Sequence, residues 1–336
     1  MSKFEFGNYT LKFGEEKVLL DMYEEIVHPT FLEMKYRRKI KNAEYFFIDT
    51  EVLKLSGDGE EPVVGIYGRI VKNTKLKREQ IFGDEGLVED HKELDTAPSS
   101  AFLLILNNHR LVFCREVTGA PTIENFMATS EYFLKNRHQE YIQAQFDEAK
   151  AAKEQNPELK RVTKVNLLQD CPRPKLRITA LTDKQNLQDF LDRFNQIDRL
   201  SIKLLPTNKE QIDNDDFWAS FGAKKDKMNS PTTKIEFSNP KDGLSPEAVL
   251  KETTAAVGLG NSDINLSGID VDGDRIKGDN NDFDLSVDVD EVPKAKEEAA
   301  KMKYQTFMEL AARGAISLPA LGADVIEKVK TIFDRL

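Results

Sequence analysis

Only two cysteines occur in the 336 residues, Cys114 and Cys171. Neither a disulfide framework nor a cysteine metal site is spelled out, and both thiols fit a reducing compartment. No apolar run approaches the roughly 18 residues of a membrane-spanning helix. The opening MSKFEFGNYT has no signal-peptide core, so the expected setting is soluble and cytoplasmic. Histidine is scarce as well. His28, His91, His109 and His138 lie far apart, with no acid or cysteine at a ligand spacing. The phosphate-binding glycine loop, the G-x-S-x-G elbow and the dinucleotide fingerprint are all missing. The sequence therefore points to no catalytic motif, no metal site and no cofactor.

Charge is plentiful but uneven. The chain carries a formal −10, yet Ser262 to Lys294 holds ten acids against three bases and supplies −7 of it. A globally acidic balance argues against a dedicated nucleic-acid binder. Two basic clusters stand against that trend: Lys35, Arg37, Arg38, Lys39 and Lys41, then Lys72, Lys75, Lys77 and Arg78. Adjacent lysines and arginines release counterions when they meet phosphates, so these nine are the candidate DNA contacts.

At 40% hydrophobic content the chain can bury two ordinary cores. Residues 1–150 read as a β-rich domain with a closing helix. Strands are expected over Tyr45–Leu55, Val63–Val71 and Ala101–Val117, the last folded into a hairpin at Asn107-Asn108-His109. Phe102 to Leu106 is near-continuously apolar, as in a central strand covered on both faces. A helix starts at Thr122, with Ile123, Phe126, Met127 and Phe133 inward. Asp147 to Lys160 loses apolar periodicity and marks a domain boundary or a solvated helix end. Residues 173–293 read as an α+β sandwich, ferredoxin-like or split-βαβ, with helices on one sheet. Leu176, Ile178 and Ala180 open it, and Leu187, Phe190, Leu191, Phe194 and Ile197 give a one-sided helical stripe. Asp213 to Lys227, with Trp218, reads as a short helix or insertion.

From Thr233 to Val292 the pattern is sharper. Ile235 and Phe237 alternate with polar residues, and Ser245-Pro246 caps and opens a helix that Gly258 and Gly260 end. Ile264 and Leu266 begin a strand, Asp272-Gly273 signals a hairpin, and Phe283, Leu285, Val287 and Val289 alternate with Asp282, Asp284, Asp288 and Asp290. Asp270-Val-Asp272-Gly-Asp274 resembles a calcium loop, but its glycine falls at position four and not six. It reads as a solvated acidic edge. Residues 294–336 form a helical hairpin, with stripes at Ala300, Tyr304, Phe307 and Ala311 and at Val325, Ile326, Val329, Ile332 and Phe333. It packs on its own core or on a dimer partner.

Two stretches carry a family likeness: PSSAFLLILNNHRLVFCREVTGAPTIENF from Pro98 to Phe126, and the run from TKIEFSNPKDG to DINLSGIDVDGD. They resemble the RexA family, the soluble component of two-part Rex phage-exclusion systems. The resemblance implies a non-enzymatic antiviral-defence protein of the abortive-infection kind. It would be a homodimer that binds double-stranded DNA non-specifically, or a phage protein–DNA complex, and signals to a membrane protein. The resemblance implies a hairpin that carries basic residues suited to phosphates. Here Ser267, Gly268 and Ile269 sit among Asp263, Asp270, Asp272 and Asp274, which moves the expected DNA contact to Lys35–Lys41 or turns the chain toward a protein target. One rival reading is a protein-binding adaptor or inhibitor with an acidic face. The other is a metal-dependent nuclease, for which Asp21 and Glu33-Met-Lys35 match a loose D…ExK pattern, although Glu33 lies outside an apolar strand.

Overall fold

A computed structural model describes every residue except 1, 58, 84, 85, 206–220, 222, 226, 229, 231, 258, 259 and 319. Strand β1 (Ser2–Phe13) is the hub of a ten-stranded, curled antiparallel sheet. Phe4 and Phe6 fill one face of it, and Tyr9, Leu11 and Phe13 the other. The apolar residues change face between Phe6 and Tyr9, which breaks the period-2 signal and hid this strand from the sequence reading. After β2 (Lys17–Val18) a helical stretch runs from Leu19 into α1 (His28–Leu32). Strands β3 (Arg38–Ile40), β4 (Ala43–Lys54), β5 (Val64–Gly83), β6 (Gly86–Thr96), β7 (Ser99–Ile105) and β8 (Arg110–Arg115) follow.

The expected hairpin at Asn107 to His109 joins β7 to β8, but it is not a solvated tip. Asn107, Asn108, His109 and Arg110 are all buried, and Asn107 is held between the amide of Val64 and the carbonyl of Pro62. Helix α2 (Ile123–Gln155) opens on Thr122, whose hydroxyl accepts from the Asn125 amide while the Asn125 side chain accepts from the Thr122 amide. It presses Phe126 and Phe133 against the sheet. Phe126 lies 4.7 Å from Phe102, and Phe133 lies 5.2 Å from Phe47, centroid to centroid. Truncating such a buried ring to alanine costs about 3–5 kcal/mol. The stretch past Asp147 is the solvated end of α2.

Helix α3 (Lys164–Asp170) leads to β9 (Pro174–Ala180), α4 (Lys184–Leu191), β10 (Phe194–Leu204), β11 (Thr233–Ser238), α5 (Pro246–Val257), β12 (Ser262–Asp270), β13 (Arg275–Asp279) and β14 (Ser286–Val289). A second antiparallel sheet has the order β11-β10-β12-β13. Strands β11 and β12 both oppose β10, so they run parallel to each other and are joined through α5, a split β-α-β unit. The strand at Leu176–Ala180, expected to open this small sheet, pairs instead with Gly7–Leu11 of β1. The run at Phe283 to Val289 also divides. Phe283 enters the small core, Leu285 the large one, and β14 pairs with Ser2–Glu5 of β1. The predicted helical stripe ends at Leu191, and Phe194 and Ile197 belong to β10. Asp213–Lys227 lies mostly outside the described residues, as do Trp218 and Gly258.

The large sheet has the order β14-β1-β8-β7-β5-β4-β3, with β9 beside β14 on the same side of β1. The C-terminal helices do not form a hairpin. Helix α6 (Lys296–Ala312) buries Ala299, Ala300 and Phe307 in the cluster around Phe4 and Phe6. Helix α7 (Ala323–Arg335) buries Val329 and Ile332 in the cluster around Tyr9 and Phe13, on the other face, and leaves Ile326 exposed. Apart from Ile326, both stripes are thus consumed by the chain's own cores. Strand β5 outruns its neighbours: pairing with β7 ends at Val71 and with β4 at Asn73. From Thr74 to Gly83 it pairs with β6 alone, as a two-stranded ribbon about 33 Å long. No helix among the described residues is long and apolar enough to cross a membrane.

Candidate nucleic-acid interface

The basic run after α1 is pinned by its one aromatic. Tyr36 is buried, stacks on Phe133 at 5.6 Å and donates its hydroxyl to Glu140 at 2.9 Å. That anchor distributes the neighbouring cations unequally. Lys35 lies 2.7 Å from Glu33 and 2.9 Å from Glu140, and its hydrogen bonds to Glu140 and Glu33 hold its pKa above the ordinary lysine value. Burial alone would raise Glu140, but the hydrogen bonds from Lys35 and Tyr36 prevail and hold it below the usual carboxylate range. Arg37 donates to the carbonyls of Met34 and Tyr36, and its guanidinium lies 4.3 Å over the ring of Phe46. Arg38 donates to the Thr129 hydroxyl of α2 at 3.2 Å. Lys39 remains outward, its side chain 80% exposed and 3.7 Å from Glu44. Lys41 is exposed at the β3–β4 turn with φ 51°.

Strand register then joins the two clusters that the sequence separates. Arg38 opposes Tyr45, and Tyr45 opposes Lys72, so Arg38 and Lys72 share one row two strand spacings apart, about 10 Å, with the buried Tyr45 between them, while Lys39 opposes Glu44 on the other face. Lys75 and Lys77 belong to the ribbon, where both pair with Glu93, at 3.0 and 3.2 Å. The Glu93 hydrogen bond raises the Lys75 pKa. Arg78 opposes Lys92 of β6, a base the sequence reading passed over. Of the nine candidates, Arg38 and Lys72 lie on the Tyr45 face of this edge, Lys39 on the opposite face and Lys41 at its turn, Lys35 is neutralised, Arg37 is folded back on the chain, and the ribbon holds the rest.

Sequence reasoning also missed three cations beside this edge. A groove of about 840 Å³ is lined by Tyr36, Lys135, His138, Gln143, Lys164 and Arg173. Lys164 donates to the Gln143 side chain, and Lys135 pairs with Glu131 at 2.9 Å. These cations come from α2, α3 and the loop after it, so no local cluster announces them. Other acids gather away from this edge. Asp288 and Asp290 are exposed at the β14 end of the sheet, six strand spacings from β3, about 29 Å along the curl. At the β12–β13 turn the Asp270 carboxylate accepts from the amides of Asp272 and Asp274, which uses it as a turn cap.

For the nuclease pattern, Asp21 accepts from the Val18 amide and is engaged by Lys328, both at close range, while Glu33 pairs with Lys35. Among the described residues no three His, Cys, Asp or Glu side chains converge to hold a metal ion.

One buried base stands apart from this surface. Lys303 of α6 is fully buried on the Phe4 face of the sheet, with its ammonium 4.6 Å over the Phe4 ring and 5.9 Å over Tyr67. Among the described residues neither its Nζ nor the Tyr67 hydroxyl has a hydrogen-bond partner. Burial pushes its pKa down from 10.5 to about 8, against the pull of Cys114 and Glu116. The chain matches no protein-family model, no curated protein and no solved structure.

Proposed function

We propose that this protein binds the phosphate backbone of double-stranded DNA through the β3–β4–β5 edge, without strong sequence preference. It would act as the sensing component of a RexA-like exclusion system that signals through a partner. The observation that carries the reading is the strand register. It sets Arg38 and Lys72 in one row on the Tyr45 face of this edge, with Lys39 on the opposite face and Lys41 at the turn between the strands, while Asp288 and Asp290 lie at the far edge. Phosphate contacts of this kind position a protein on a duplex and carry no base information. Fluorescence anisotropy with two unrelated duplexes across a salt series tests it. Lys39→Glu with Lys41→Glu should weaken both duplexes about equally and flatten the log–log salt slope by roughly 0.9 per lost contact. Undetectable binding of the unmodified protein at about 50 mM salt removes the proposal.

A second reading rests on the opposite edge. Exposed Asp288 on β14 and Asp290 just after it suit a basic protein partner. Asp288→Asn with Asp290→Asn should then weaken capture of a basic partner while leaving duplex affinity unchanged. A double variant that leaves every protein complex intact removes this reading.

A further inference from the structure

The β5–β6 ribbon makes poor sense as a free arm. An isolated two-stranded hairpin is marginal in water at best, yet this one exposes large apolar side chains along its length. Leu76 is 59% exposed, Leu94 69%, Phe82 85% and Leu87 72%. Nor does it suit phosphates. From Thr74 to Thr96 seven acids outnumber four bases, and Lys75 and Lys77 are already paired with Glu93.

The register sorts these residues onto faces. Side chains alternate along β5, so Leu76, Arg78, Gln80 and Phe82 share one face. Their cross-strand partners are Leu94, Lys92, Glu89 and Leu87. Two residues of β6 oppose one of β5 between Arg78 and Gln80, and this bulge brings Glu89 and Leu87 onto the same face as Lys92 and Leu94. Read from base to tip, the face is an apolar pair, a cationic pair, a polar-acidic pair and an apolar pair.

That order is complementary to its own reverse. We infer that the ribbon is a self-docking arm: two copies of this chain stack these faces about a two-fold axis, with their ribbons antiparallel. Leu76 and Leu94 then lie over Phe82 and Leu87 of the second copy, and Arg78 and Lys92 lie over its Gln80 and Glu89. Sheets packed face to face sit about 10 Å apart, the distance these side chains span. The parallel stacking is disfavoured by charge, because it sets Arg78 against Lys92 of the second copy. The interface is isologous and closes on itself. It goes beyond the DNA reading and does not depend on it, since none of its contacts lies on the β3–β4 edge.

Light scattering on the full chain at micromolar concentration tests the pairing. The expected mass is twice the 38.2 kDa of the chain. Leu76→Ser with Phe82→Ser should give a monomer whose circular dichroism spectrum is unchanged, because both side chains are exposed in the single chain. Lys92→Glu alone and Glu89→Lys alone should each raise the dissociation constant at least about tenfold. The double variant Lys92→Glu with Glu89→Lys restores the attraction across the axis and should recover most of that loss. A monomer in the unmodified protein at about 100 μM, well above the micromolar range of modest interfaces, overturns the inference. So does a dimer indifferent to Leu76→Ser with Phe82→Ser, or a charge swap no better than its single variants.

Discussion

Lys303 is a cation held in an apolar layer, and replacing it with methionine measures what that burial costs. The side chain is fully buried with no hydrogen-bond partner among the described residues, and its pKa falls from 10.5 to about 8. At about 1.4 kcal/mol per unit, a drop of this size corresponds to about 3 kcal/mol of folded-state penalty. Contact with the Phe4 and Tyr67 faces offsets about 1–2 kcal/mol of it. Methionine keeps the length of the stem and removes the charge, so Lys303→Met should stabilise the protein at pH 7 by about 1–3 kcal/mol.

The pH dependence gives the sharper test. Because the folded-state pKa is depressed, both folded and unfolded chains hold the proton below pH 8, and the penalty is complete there. Between about 8 and 10.5 the folded protein sheds its proton first, so the penalty fades as pH rises and is nearly gone at 10.5. The advantage of Lys303→Met should therefore shrink across that window. Urea unfolding followed by circular dichroism at pH 7 and pH 10 reads both values. A variant that is destabilised at pH 7, or whose stability difference is the same at both pH values, refutes the view that the charge is the cost.

Two further substitutions probe the small sheet. Asn280 accepts from the Ile264 amide at 2.7 Å and donates to the Ser262 carbonyl at 2.9 Å, in a buried setting, so Asn280→Ala should cost about 2–4 kcal/mol in urea unfolding. Gly268→Ala would place a Cβ 2.0 Å from the backbone carbonyl oxygen of Gln196, where no side-chain rotation relieves it. That variant should lose about 3 kcal/mol or more by the same assay, and an unchanged midpoint would show that β10 shifts freely.

Elements with a local signature were legible in the sequence: the apolar β7–β8 hairpin, the start of α2 at Thr122, and the β11-α5-β12 run. Partner choice was not. Leu176 to Ala180 alternates in the same way whether it joins the small sheet or pairs with β1, and only the fold decides. The ribbon was unreadable for a related reason. A strand announces itself through one buried face, and Thr74 to Thr96 buries neither, so its sequence looks like a charged loop until the pairing of β5 with β6 is seen. The basic cluster carries the same lesson for function. Lys35 to Lys41 reads as one uniform patch, yet Glu140 arrives from α2, 105 residues away from Lys35, and removes that lysine from it. Thr129 of α2 receives Arg38, and the Phe46 ring receives Arg37. What escapes these contacts, Lys39 and Lys41, is set by how the chain packs around Tyr36. The exposed charge of a run depends on acids and rings that no local window contains.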